Sequence, residues 1–217
     1  EENFSSEEYD VEAMVRQLIN DEEYEMARKL TKRCLLEAED NPEELDCLED
    51  MQIYLAYIYY EDGDGNDELD CPFYRLRQAH PLIVDLSQDF VPYWADTYMW
   101  LATLYHELYY NYEDAEVNTF SRHRDSEWYG RQAYKYNKLA AEEGYYMAMY
   151  RTARFLIDGD VVDADYDEAY SWLQKCEGYC DDLPLYWLGN MHYYSEYGRE
   201  NRVLALKYYD AYKEQYE

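Results

Sequence analysis

A chain of 217 residues is long enough for one or two domains with a substantial core. Its 49 Asp and Glu stand against 19 Lys and Arg, a formal net charge of −30, and a field of that sign repels nucleic acid and anionic membranes while drawing in basic proteins. The 30 Tyr and 5 Trp argue against a disordered acidic tail, because such rings pack a core with their bodies and keep a hydroxyl or N–H for a partner.

The charge is uneven along the chain. Residues 1–70 hold 24 acids and 5 bases, whereas residues 71–217 hold 25 acids and 14 bases. The chain opens EENFSSEEYD, with neither a signal-peptide pattern nor an initiator Met, so a removed leader would leave no trace in it. No stretch reaches the apolar length of a membrane span, and the expectation is a cytoplasmic protein without a membrane partner. Cys34, Cys47, Cys71, Cys176 and Cys180 are odd in number and form no CxxC pair. They read as reduced thiols packed as small hydrophobes, with a Cys176–Cys180 disulfide bent at Gly178 as the alternative.

Residues 1–72 read as acidic, irregular or capping helices. Within them residues 37–50 concentrate eight acids: Glu37, Glu39, Asp40, Glu43, Glu44, Asp46, Glu49 and Asp50. A helix row of that composition comes near the charge density of DNA, about one charge per 1.7 Å of axis. Residues 50–60 (DMQIYLAYIYY) show helical period, with Met51, Leu55, Ile58 and Tyr59 on one face. Tyr57, Tyr60, Tyr109, Tyr110, Tyr134, Tyr146, Tyr193 and Tyr208 cannot all be core, because a helix buries one stripe; Tyr replaces Leu in most of them, and the alternative for a subset is an exposed Tyr and carboxylate surface. The loop EDGDGNDELD at residues 61–70, which includes Asp62 and Asp64, lacks the Gly and Glu of a calcium-binding EF-hand and reads as a solvated acidic loop. A loose divalent-metal site there is the alternative; no metal ligand set is assigned.

Residues 73–125 read as a degenerate repeat with insertions, the candidate insertions being residues 63–72 and 110–128. The helix expected at 95–109 carries Tyr98, Leu101, Ala102, Tyr105 and Leu108 on one face. Breaks or helix starts are expected at Asn41-Pro42, Gly63, Cys71-Pro72, His80-Pro81, Asp158-Gly159 and Leu183-Pro184. The four His residues make no metal-ligand pattern, and His123-Arg124-Asp125 has neither the Asn nor the glycine-rich loop that a kinase needs. With no nucleophile elbow and no phosphate-cradling loop, no catalytic residue, cofactor or enzymatic activity is expected.

Residues 126–217 repeat themselves. Ala133, Ala169 and Ala205 recur at a spacing of 36, and the partner segments beginning at Ala148 and Pro184 keep the same offset. A repeated helix–turn–helix leaves an apolar face that only its neighbour covers, and small residues recur where helices cross closely. The fold class expected is therefore all-α.

These residues resemble the Sel-one-like repeat, a relative of the tetratricopeptide repeat. KLAAEEG at 138–144 is similar to the end of its first helix, Leu188-Gly189 supplies its paired L-G, and Asp165 to Ala169 its D-x-x-x-A. Thr152-Ala153 replaces L-G in one unit, and the Pro184 unit breaks late, at Gly198. The resemblance covers residues 126–217. Upstream, Leu55-Ala56 and Leu101-Ala102 read as degenerate L-G positions. The resemblance implies a right-handed helical-hairpin solenoid of about four helix pairs, a single domain over 1–217, and by default an adaptor that scaffolds a complex.

Charge and aromatics add a direction. Tyr rings stack on guanidinium groups while carboxylates pair with them, so the expected partner is a basic protein. A nucleic-acid-binding protein or nuclease, inhibited by DNA mimicry, is the finer expectation. The candidate partner-binding residues are the acidic row at 37–50, Asp62 and Asp64, with Tyr57, Tyr60, Tyr109 and Tyr134. Direct nucleic-acid binding is not expected.

Overall fold

A computed structural model describes residues 11–40, 48–63, 72–84, 86, 92, 94–111, 124–179 and 183–214. Ten α-helices and one 3-10 turn make up the regular structure of the described residues, which contain no strand. The chain divides into two compact units, Glu1–Tyr93 and Trp94–Glu217.

The first unit holds α1 (Val11–Asn20), α2 (Tyr24–Asp40), α3 (Leu48–Asp62) and α4 (Pro72–Ile83). Helix α3 sits centrally, packed against α1, α2 and α4. It therefore buries more than the stripe expected from its period: Met51, Leu55 and Ile58 are buried, and so are Ile53, Tyr54 and Ala56. Its end is pinned by Arg28 of α2, which donates to Asp62 at 3.0 Å and to the Gly63 carbonyl at 2.8 Å. Gly63 takes the left-handed backbone (φ 70°) that stops the helix. The break expected at His80-Pro81 does not occur there. Pro81 lies in the last turn of α4, where its missing N–H costs a single ladder bond, and Val84 still donates to the His80 carbonyl at 3.0 Å.

The second unit holds α5 (Ala95–Tyr110), α6 (Ser126–Glu142), α7 (Tyr146–Asp158), α8 (Tyr166–Lys175), α9 (Leu183–Tyr193), the 3-10 turn Ser195–Tyr197 and α10 (Arg202–Glu214). Each helix packs on the next in sequence. Three helix starts, those of α6, α8 and α10, are capped by short polar side chains that satisfy orphan N–H groups. Asp125 accepts from Trp128, Asp165 accepts from Asp167 and Glu168, and Asn201 accepts from Leu204. Asp165 and Asn201 lie one repeat of 36 residues apart. Ala133, Ala169 and Ala205 are each completely buried, as close helix crossings demand. The paired Leu188-Gly189 and its replacement Thr152-Ala153 are buried too.

Candidate interaction surface

Of the acidic row expected at 37–50, the side chains of Glu37, Glu49 and Asp50 are among the described residues. Glu37 is exposed on α2 and faces Arg33, 3.6 Å away along the same helix. Glu39 and Asp40 lie in the last turn of α2, but their side chains are outside the described residues, as are Glu43, Glu44, Asp46 and Asp64. Glu49 is half-buried in the first turn of α3. Asp50 is buried, at 9% exposure, beneath α1. Burial pushes its carboxyl up to about 6, and the charges of Glu12 and Glu49 add to the shift while Arg16 opposes it. A carboxyl in that position is no part of a charged outer row.

Tyr57 and Tyr60 are half-buried. Their ring centroids are 6.4 Å apart, and burial together with the neighbouring Glu61 holds the Tyr57 hydroxyl well above the usual phenol range. The reason is the central place of α3, which has neighbours on more than one side. Asp62 is engaged by Arg28 and works as the helix-end partner described above. Tyr109 and Tyr134 are likewise half-buried, in the second unit, where both rings meet Phe155 at 5.9 and 6.0 Å. The structure thus brings Tyr109 and Tyr134 together, and separately Tyr57 and Tyr60.

A repeated device orders the second unit. Cations lie over aromatic faces while pairing with carboxylates. Lys138 stands over Tyr134 at 5.8 Å and pairs with Glu168 of the next repeat at 3.0 Å. Arg154 covers the Trp187 indole at 4.1 Å and pairs with Asp158. Arg199 covers Tyr170 at 4.2 Å and pairs with Asp167. His192 sits beneath this last group. Its Nδ1 donates to the Arg199 carbonyl at 2.9 Å, which leaves Nε2 facing the Tyr170 hydroxyl at 3.1 Å, and its ring stacks on Tyr208.

Beside Arg199 opens a shallow acidic notch of about 370 Å³. Asp165, Asp167 and Glu196 provide its carboxylates, and Tyr166 and Tyr197, edge to face at 4.9 Å, provide its aromatic wall. Asp165 and Asp167 stand exposed, and Asp165 spends one oxygen capping α8. Burial, aided by a hydrogen bond to Glu196, pushes the Tyr197 hydroxyl up to about 12. Carboxylates around aromatic faces suit an ammonium or guanidinium group. In the sequence Asp165 is legible as part of a repeat motif, and its place in the notch is not. The contribution of Glu196 and Tyr197 comes from the late break of the Pro184 unit, which returns the chain past the start of α8.

Of the two Cys residues proposed for a disulfide, Cys176 is buried with its thiol 3.5 Å from the Leu173 carbonyl, and Cys180 lies outside the described residues. Among the described residues no three His, Cys, Asp or Glu side chains converge as metal ligands. No described helix is long and apolar enough to cross a membrane.

Helix pairs stacked at a 36-residue period define an α-helical repeat protein, and solved structures give that class its kind. A protective antigen present in uropathogenic Escherichia coli strains and displaying an SLR fold superposes with a TM-score of 0.51 at 18% identity. The superposition covers 86% of this chain and 33% of that one, so the chain spans about a third of that protein's length. A Sel1 repeat protein from Oxalobacter formigenes aligns at 13% identity over 94% of this chain and 86% of its own, with a TM-score of 0.40. No family model matches the sequence, and no curated protein matches it. The fold is that of the Sel1-like repeat, all-α and built as a solenoid of helix pairs.

Proposed function

We propose that the protein is a non-enzymatic interaction module that binds a basic protein segment through carboxylate and tyrosine groups of its repeat unit. The observation that carries this reading is the acidic notch, where Asp165, Asp167 and Glu196 surround the rings of Tyr166 and Tyr197. Arg199 at its edge, stacked on Tyr170 and paired with Asp167, is an intramolecular example of the contact proposed for the partner. The net charge of −30 supports fast, salt-sensitive capture of such a segment.

The test is a titration of a labelled Arg- and Lys-rich peptide, with an acidic peptide of equal length as control. Binding of the basic peptide alone, weakening steeply as salt is raised, is the expected result. An affinity that stays flat with salt, or equal binding of both peptides, overturns the reading.

The finer reading, an inhibitor that occupies the groove of a nucleic-acid-binding protein or nuclease, asks for a row of free carboxylates. Glu37 is paired and Asp50 is buried, so net charge is what supports it. Competition separates it from a scaffolding role. An inhibitor displaces DNA from the basic target, and a scaffold leaves that complex intact.

A further inference from the structure

Tyrosine rings of the second unit commonly meet tilted or edge to face, as their quadrupoles favour. Tyr146 and Tyr179 depart from that pattern. Their rings stack face to face, with centroids 3.9 Å apart and planes within 6° of parallel. Tyr105 and Tyr136 also stack, but at 5.7 Å and inside the core. Tyr146 and Tyr179 stand at the surface instead, 40% and 64% exposed, and neither belongs to the acidic notch.

The repeat brings these two rings together. Tyr146 is the first residue of α7, just past the turn that joins it to α6, and Tyr179 lies in the corresponding turn of the next repeat, between α8 and α9. Gly178 bends that second turn with a left-handed backbone (φ 82°), and the Tyr179 N–H donates to the Cys176 carbonyl at 3.1 Å. The Tyr146 hydroxyl is held above the usual phenol range, first by the charge of an ionised Tyr179 beside it, then by burial and by a hydrogen bond to Tyr179. Parallel rings whose hydroxyls meet at one end point the same way. The Cε carbons beside the two hydroxyls therefore lie over one another.

We propose that Tyr146 and Tyr179 form an oxidative cross-linking site, joined Cε to Cε as a dityrosine by a peroxide acting through a haem peroxidase. Each phenol gives up one electron and its hydroxyl proton, which leaves two phenoxyl radicals whose unpaired spin reaches Cε. The radicals combine in a C–C bond, and the hydrogen on each joined Cε then moves to its ring oxygen, restoring both phenols. The chain loses two hydrogen atoms in all; the O–O bond of the peroxide breaks, and the two electrons and two protons leave as part of two water molecules. Stacking favours this pair because groups held together react without the cost of an encounter. Coupling between copies is disfavoured, since two chains of charge −30 repel each other. The product staples the turns of successive repeats, the nearest-neighbour contact on which a repeat protein depends.

The experiment treats the full chain with a haem peroxidase and limiting hydrogen peroxide. Dityrosine fluorescence, denaturing electrophoresis and mass spectrometry of proteolytic peptides read the product. A chain of single-copy mass is expected, with the peptides carrying Tyr146 and Tyr179 linked at the loss of two hydrogens. That link is expected to exceed any between Tyr193 and Tyr194, which are exposed neighbours but meet edge to face. Tyr146→Phe and Tyr179→Phe keep a ring in place and remove a coupling phenol. Each is expected to lower the single-chain fluorescence about threefold or more, whereas Tyr194→Phe leaves it unchanged. Absence of the linked Tyr146–Tyr179 peptide, cross-links chiefly between copies, or undiminished fluorescence in Tyr179→Phe overturns the proposal.

Discussion

The ring of Tyr209 lies so close over Gly189 that a Cβ at residue 189 would stand 2.6 Å from the ring's Cε1. The ring has little freedom to retreat, because its hydroxyl donates to the Asn190 side chain at 2.7 Å. Gly189 is therefore where α10 closes onto α9. Gly189→Ala gains up to about 1 kcal/mol of helix propensity but overpacks a filled contact, at a cost of about 1–3 kcal/mol. A net loss of about 1–2 kcal/mol in chemical denaturation is expected. In a Tyr209→Leu background the same substitution should become neutral or stabilising, and a double-mutant cycle without that coupling rules out the contact as the cause.

The three buried alanines make a parallel case. Ala169 is completely buried where α8 meets its neighbours, whereas Ala164 in the preceding loop is exposed. Ala169→Leu is expected to cost about 3 kcal/mol through overpacking, and Ala164→Leu to stay within about 0.5 kcal/mol of the parent. Comparable thermal midpoints for the two variants would falsify the small-residue reading of the 36-residue period.

Those alanines also show why the fold was legible. A small residue repeating every 36 positions reports a packing constraint that each unit imposes again, so chance does not mimic it. The candidate site was read less well, because single-helix periodicity assigns one buried stripe per helix. Tyr57 and Tyr60 fall outside the stripe of α3, yet that helix has three neighbours and half-buries them. Counting acids in residues 37–50 likewise does not see that α3 turns Asp50 inward. The notch was hidden for another reason. Glu196 and Tyr197 sit about 30 residues from Asp165 and meet it only through tertiary packing.

Asp50 gives the first unit a pH dependence of defined sign. Its carboxyl titrates at about 6 in the folded chain, above its ordinary value of 3.8, mainly because it is buried. A raised folded-state value means that the folded protein binds a proton more tightly than the unfolded chain. The associated stability is fully present below about pH 4 and is lost as pH rises through about 6, a difference on the order of 2 kcal/mol. Denaturation of the first unit, followed through Tyr24 and Tyr54, should thus need more urea at pH 5 than at pH 7.5. Asp50→Asn should flatten that trend and raise stability at pH 7.5, and a trend of the same size in the variant would assign it to other groups.

The notch and the acidic end of α3 make opposite predictions for binding. Asp165→Asn keeps a side-chain oxygen to cap α8, and Glu196→Gln keeps the hydrogen-bonding shape, so the pair removes two charges from the notch with little change in fold. With exposed ion pairs contributing up to about 1 kcal/mol each, affinity for an Arg-rich peptide should fall about three- to tenfold at low salt, and the difference should shrink at high salt. Asp62→Asn, in contrast, weakens the Arg28 contact at the end of α3 and is expected to lower stability by about 1 kcal/mol while leaving peptide affinity unchanged. Isothermal titration and thermal melts on the same preparations separate the two. If Asp62→Asn reduces binding as much as the notch pair does, the peptide responds to total charge alone, and the notch loses its claim to be the binding site.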